Sequence, residues 1–146
     1  MRKMIFVDSN IWCYYFDARL PEHIHVREPL RSILATSEVV TNTVVVMEVA
    51  HYLARSFGES EAREKIKSFI RLRNMNTVNF DRSLLNTALE FLAKYAWIYG
   101  LGGRDSTILA TLQKVNIPML FTHDRSLATL AHELGVEIKD PVPWEI

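Results

Sequence analysis

An α/β fold, in which a parallel sheet carries helices on both faces as a three-layer sandwich, is what this sequence predicts. Three observations lead there. Short apolar runs alternate with stretches of helical spacing along the whole chain. Strands separated by helices pair in parallel, with crossovers that lay the helices over the sheet. The 146 residues are 49% hydrophobic, enough for one domain spanning 1–146 with a sizeable core, since a domain typically takes roughly 100–200 residues.

The elements follow in order. "MIFV" at 4–7 is a buried strand, and "NIWCYYF" behind it is a short helix. Pro21 and Pro29 mark breaks, with a second short helix over 29–36. "EVVTN" at 38–42 is the second strand. Val46, Ala50 and Leu53 form one stripe of a helix over 43–57, and Gly58 stands where its C-terminus is expected. Ala62, Ile66, Phe69 and Ile70 define the next helix, and "NTVNF" at 76–80 the third strand. Leu85, Ala88, Leu89, Leu92 and Ala96 mark a helix that ends before the glycine-rich "GLGG". Ile108, Leu109, Leu112 and Val115 mark another. "PMLFT" at 118–122 is the fourth strand, a helix through Leu127, Leu130, Ala131 and Leu134 stops at Gly135, and "VEI" at 136–138 closes the pattern.

Charge and cysteine content narrow the classes. Seventeen basic and seventeen acidic residues cancel, so a nucleic-acid binder would have to use a local basic patch. Cys13 is the only cysteine, which excludes an internal disulfide and a cysteine-based zinc site. The first apolar run is broken by Asp8, unlike a signal peptide, and nothing approaches the ~18 apolar residues of a membrane span. A soluble cytoplasmic protein is the expectation.

Parallel sheets bind ligands at the carboxyl ends of their strands, near the point where strand order reverses. Four acids fall at that edge. Asp8 directly follows strand one, where an acid inside the core would be costly. Glu48 lies in the second turn of the helix after strand two, and a turn rises only about 5.4 Å. Asp105 opens the helix that leads into strand four, and Asp124 follows strand four. Taken singly, each has a plain explanation: Asp105 and Asp124 as helix caps, Glu48 as a solvated helix residue, Asp8 as part of a turn. Crowded together, carboxylates repel and some protonate unless a cation neutralises them. Oxygen donors of this kind suit Mg²⁺ or Mn²⁺ and phosphoryl chemistry.

"IFVDSNIW", "TNTVVVMEVAHYL", "GGRDSTILA" and "LFTHDRSL" together resemble the acidic signature of PIN-domain ribonucleases, with the spacing of the small single-domain toxins of the VapC type. The resemblance covers essentially the whole chain. It implies four to five parallel strands in the order 3-2-1-4-5, a Mg²⁺- or Mn²⁺-dependent RNA endonuclease, a homodimer, and a cognate antitoxin. It makes Asp8, Glu48, Asp105 and Asp124 the catalytic, metal-binding acids and places Asn10 and Thr122 as polar helpers; Ser9 is not expected to contribute. Some members carry a further acid one helical turn after the third; "DSTILA" has none, which implies one firmly held metal and a second only with substrate. The same strand order separates two near-identical words. "FDRSL" at 80–84 follows an outer strand, so Asp81 is a plain cap, whereas "HDRSL" at 123–127 follows a strand beside the first, so Asp124 faces Asp8.

Arg104 and Arg125 flank site acids and either hold substrate phosphates or offset the acids' charge. His23 and His25 read as polar loop residues, and His123 as a lone exposed histidine. "GLGGRDS" lacks the pattern of a P-loop and reads as a close backbone approach beside Asp105. The aromatic residues Trp12, Tyr14, Tyr15 and Phe16 read as core, with room for one ring at the rim to stack on a base. The apolar surplus on helix 43–57 is either core or a dimer or partner surface. Three rival functions remain: a housekeeping RNA-processing nuclease of the same fold, a phosphatase of the haloacid dehalogenase type, and a non-enzymatic binding module. The phosphatase wants a second aspartate two residues after Asp8, where Asn10 stands.

Overall fold

Every strand of the sheet runs in the same direction. A computed structural model describes residues 3–144. In chain order these form β1 (Met4–Val7), α1 (Ser9–Phe16), α2 (His23–Thr36), β2 (Glu38–Asn42), α3 (Thr43–Ser56), α4 (Glu59–Ile70), β3 (Met75–Val78), α5 (Arg82–Tyr99), α6 (Gly103–Val115), β4 (Met119–Phe121), α7 (Arg125–Glu133) and β5 (Glu137–Lys139). The sheet order is β3-β2-β1-β4-β5, as the sequence resemblance implied, and all four pairings are parallel.

Burial explains the layering. Successive strand residues point to opposite faces, yet Ile5, Phe6 and Val7 are all buried, so helices cover both sides of β1. Outer strand β3 has half-buried ends and an exposed middle. Trp12, Phe16 and Phe69 pack together beside the sheet, with Trp12 and Phe69 ring centroids 4.9 Å apart. The aromatic run after Asp8 is thus mainly core. The apolar surplus on α3 is also largely core, through Val45, Val49 and Leu53, though Met47 stays exposed.

Four details depart from the sequence expectation. Helix α2 starts at His23 and runs through Pro29, because Val26, Leu30 and Ile33 bury one continuous stripe across the proline. Its packing outweighs the lost backbone bond. His23 and His25 are therefore helical, and His23 Nδ1 donates to the Tyr14 carbonyl at 2.8 Å. Strands β3 and β5 are each shifted by one or two residues from 76–80 and 136–138. Finally, the glycines of "GLGG" make no close backbone approach: a Cβ on Gly102 or Gly103 would meet nothing within 4 Å. Gly100 instead ends α5 in the left-handed region at φ 67°, which favours glycine.

Helix α1 is tied at its far end by Asp17. Its carboxylate is buried and accepts from Arg19 Nε (2.8 Å), Arg19 Nη2 (2.9 Å), the Arg19 backbone N–H (3.1 Å) and the Tyr52 hydroxyl (2.6 Å). These bonds hold Asp17 well below the usual carboxylate range, the Arg19 side chain most of all.

Candidate active site

Strand order reverses at β1, which has β2 on one side and β4 on the other. The crevice beyond the carboxyl ends of β1 and β4 is where this topology opens a binding site. Asp8 stands there because β1 ends at Val7, and the Asp8 N–H donates to the Phe121 carbonyl of β4 at 2.9 Å. The Asp8 carboxylate then caps α1: Oδ1 accepts from the Ser9 N–H at 2.6 Å and the Ser9 hydroxyl at 3.3 Å. Ser9 thus contributes by holding Asp8 in place.

Thr122 couples the two central strands. Its hydroxyl donates to Asp8 Oδ2 at 2.7 Å and accepts the Asp124 N–H at 3.0 Å. One buried side chain therefore sets the spacing between two site acids. Asp124 is also the cap of α7, with Oδ1 accepting from the Leu127 N–H at 3.0 Å. Asp81 makes the same kind of cap to Leu84 at 2.9 Å. The difference lies in electrostatic reach: the Asp124 charge acts on Asp8 and Asp105, whereas no such coupling involves Asp81.

The four predicted acids lie within electrostatic reach of one another, as the shifts of Asp8 and Asp105 show. Burial, then the Asp124 and Asp8 charges, push the Asp105 carboxyl up to about 7; Arg104 opposes the rise and Glu48 adds to it. Burial is also the main cause lifting Asp8 to about 6, against the Thr122 and Ser9 hydrogen bonds and with the charges of Asp124 and Glu48. Glu48 forms an ion pair with Arg104, which carries the Asp105 side of the site across to α3. Arg125 holds its guanidinium over the Trp144 ring. Asn10 Oδ1 is buried with no hydrogen-bond partner, an acceptor in need of a donor or cation.

One support went unseen in the sequence. Asn42 caps α3 through the Val45 N–H at 2.8 Å, and its Nδ2 donates to Thr111 Oγ1 at 3.1 Å and to the Thr107 carbonyl at 3.3 Å. This buried clamp fixes α3, which bears Glu48, against α6, which bears Asp105. Its only sequence signal was the Thr107–Thr111 pair, four residues apart and flanking the apolar Ile108–Ala110 of α6.

A cleft of about 520 Å³ adjoins the acids, lined among others by Asn10, Cys13, Glu48, His51, Arg55 and Arg104. It gathers basic side chains on a chain whose net charge is zero. Burial pushes the Cys13 thiol up to about 12, so it is not poised as a nucleophile.

Among the described residues, no three His, Cys, Asp or Glu side chains form a ready-made metal cage. The donor set nevertheless fits a hard divalent cation. It is made of Asp8 and Asp105, whose carboxyls are pushed up by burial and by the charges of neighbouring acids, beside an unpartnered amide oxygen. Mg²⁺ uses one or two direct carboxylates and keeps several waters, so a closed cage is not required.

A family model described as PIN domain matches residues 5–133. The chain belongs to the PIN domain family. No curated protein matches it by sequence. Its PIN fold is similar to that of VapC20 from Mycobacterium tuberculosis, described as a Sarcin-Ricin loop cleaving toxin, with TM-score 0.73 and 22% identity, covering 86% of this chain and 94% of that one. FitAcB from Neisseria gonorrhoeae gives TM-score 0.71 at 20% identity, over 98% of this chain and 100% of that one. VapBC2 from Rickettsia felis, bound to a DNA fragment from its promoter, gives 0.70 at 14%, over 94% and 98%. Identities this low speak for the fold alone.

Proposed function

We propose that this PIN-domain chain is a Mg²⁺- or Mn²⁺-dependent endoribonuclease, the toxin of a toxin–antitoxin pair, with Asp8, Glu48, Asp105 and Asp124 as its catalytic acids. The observation that carries the reading is a pair of carboxyls at the switch point of the sheet, Asp8 and Asp105, both raised by burial and by the charges of Asp124 and Glu48. A bound divalent ion would supply Lewis acidity, polarising the scissile phosphate and making a water more acidic. The chain's own groups do the rest. Asp8, Asp105 and Asp124 would hold the ion, and Glu48 would orient the attacking water. Thr122 and Ser9 fix the Asp8 carboxylate, and Asn10 Oδ1 offers a further acceptor. His51, Arg55 and Arg104 line the adjoining cleft, where they would meet the phosphates on one side of the cut. Hydrolysis in line leaves 5′-phosphate and 3′-hydroxyl ends.

The toxin role draws on the small PIN fold, whose structural relatives include toxin–antitoxin complexes. Leu85, Leu89, Trp97 and Ile98 of α5 are exposed, which supports pairing as a homodimer or with an antitoxin. Among the described residues no helix is long and apolar enough to cross a membrane.

The test is cleavage of a single-stranded RNA by the purified chain, with and without divalent metal. Activity that needs Mg²⁺ or Mn²⁺ and vanishes in Asp105→Asn supports the reading. Undiminished cleavage in EDTA overturns it.

A further inference from the structure

Residues 140–144 fold back against the segment that carries Asp124. Asp140 accepts from His123 Nδ1 at 2.9 Å, and its other oxygen accepts the Val142 N–H at 3.0 Å. Val142 is buried, which pins the segment to the core. Trp144 then stacks on the His123 ring, with centroids 4.0 Å apart and planes 23° apart. The Arg125 guanidinium carbon lies 4.5 Å from the Trp144 ring centroid. His123 is therefore not the lone exposed histidine of the sequence reading. It is a half-buried spacer between Asp140, Trp144 and the edge of Tyr14.

Trp144 remains 47% exposed. An indole packed only for stability would bury more of its surface, and a free surface indole would not be gripped by a stacked imidazole and a guanidinium. His123, Asp124 and Arg125 are consecutive, so the two side chains holding the indole flank an acid of the site. We propose that Trp144 and Arg125 form a nucleobase-stacking subsite for single-stranded RNA, beside Asp124 at the carboxyl edge of the sheet. This deepens the nuclease reading and rests on it for the identity of the substrate.

The chemistry suits that ligand. An indole offers a face that stacks on any base, and a guanidinium over it adds a second planar surface and a charge for the neighbouring phosphate. Bases in a duplex are already stacked on each other, so the platform requires a splayed, unpaired nucleotide. The rigid support from His123 and Asp140 presents the ring without an ordering cost on binding.

Binding of a short, unstructured, fluorescein-labelled oligoribonucleotide to the full chain, measured in EDTA so that no cleavage intervenes, tests this. Trp144→Ala should weaken binding about tenfold, and Trp144→Phe should restore most of it. Arg125→Ala, which leaves the indole in place, should weaken binding less and lower its salt dependence by about one phosphate contact. In cleavage assays Trp144→Ala should raise KM while kcat stays within about twofold. Unchanged affinity in folded Trp144→Ala overturns the subsite, as does an equal loss toward duplex RNA. Metal-dependent cleavage that is lost in Asp105→Asn, with an unchanged KM in Trp144→Ala, sinks the subsite and spares the nuclease. Trp144-dependent RNA binding without any metal-dependent cleavage does the reverse.

Discussion

The two ends of α1 carry two buried carboxylates whose surroundings are opposite. Asp8 is 4% exposed and Asp17 is 1% exposed. Asp17 meets the two-pronged guanidinium of Arg19, a backbone N–H and a tyrosine hydroxyl, and its pKa falls. Asp8 meets two hydroxyls and one N–H but also the charges of Asp124 and Glu48, and its pKa rises to about 6. Burial of a carboxylate is costly in both places. At Asp17 the chain supplies the compensating cation itself. At Asp8 it adds further acids, so near neutral pH the site either keeps a proton or takes up a cation. Eight residues of helix separate an acid paired within the fold from one crowded by other acids, and the partners rather than the depth of burial tell them apart.

The sharpest way to break this comparison is to neutralise each acid in turn. Asp8→Asn should lower cleavage by at least about 100-fold, the upper end of what even outer partners of a metal cost, with the fold intact by circular dichroism. Asp17→Asn should keep its activity per folded molecule. Comparable activity losses in both variants would erase the distinction.

Stability should divide the other way. Asp17→Asn turns an acceptor of four hydrogen bonds into a group that also donates toward Arg19 and Tyr52. It should cost about 2–3 kcal/mol by chemical denaturation, as expected for bonds to a charged group. Asp8→Asn removes a buried charge while keeping an oxygen for the Ser9 N–H, so in the absence of metal it should raise Tm near neutral pH. A fall in Tm for Asp8→Asn would show that the acid is needed by the fold.

The pH dependence carries the same contrast with opposite signs. Asp8 and Asp105 have folded-state pKa values of about 6 and about 7, above the ordinary 3.8. The fold therefore binds protons that the unfolded chain releases, and the stability this contributes is present below pH 3.8 and lost as pH rises through 6 and 7. Asp17 is shifted down, so its contribution is present above the ordinary carboxylate range and lost as pH falls toward its folded value. Thermal melts in EDTA across pH should show both limbs. Asp105→Asn should flatten the neutral one and Asp17→Asn the acid one. Adding Mn²⁺ should lift Tm mainly on the neutral side, by mass action on the ionised site.

The sequence disclosed the Asp8 half of this contrast better than the Asp17 half. The placement of Asp8, Glu48, Asp105 and Asp124 toward one edge was legible because strand ends and the first turns of helices are local features, and a parallel sheet turns them into one edge. Asp17 drew no attention because its partners Arg19 and Tyr52 become significant only once α1 and α3 are packed together. The Asn42–Thr107–Thr111 clamp was hidden for the same reason, spanning 65 and 69 residues of chain. Trp144 was overlooked because its neighbours are set by the return of residues 140–144 onto α7, which no periodicity announces. Helix α2 shows the converse failure: a local signal, Pro29, was overridden by the buried stripe of Val26, Leu30 and Ile33.

Thr122 offers the finest cut, because it lies on the boundary between the two kinds of support. Its hydroxyl gives Asp8 one of the few favourable contacts that carboxylate has, and it also receives the Asp124 N–H. Thr122→Val keeps the shape and β-branching that β4 packs around but removes both bonds. Activity should fall about tenfold, the lower end of the range for residues that orient metal ligands. Asp8 should titrate higher still, since a bond that lowers its pKa is gone. The metal requirement should therefore shift to higher concentration, and the pH at which cleavage reaches half its plateau should rise. A change in Tm alone, with the metal dependence and pH profile both unmoved, would make Thr122 a packing residue and leave Asp8 positioned by Ser9 and the helix start.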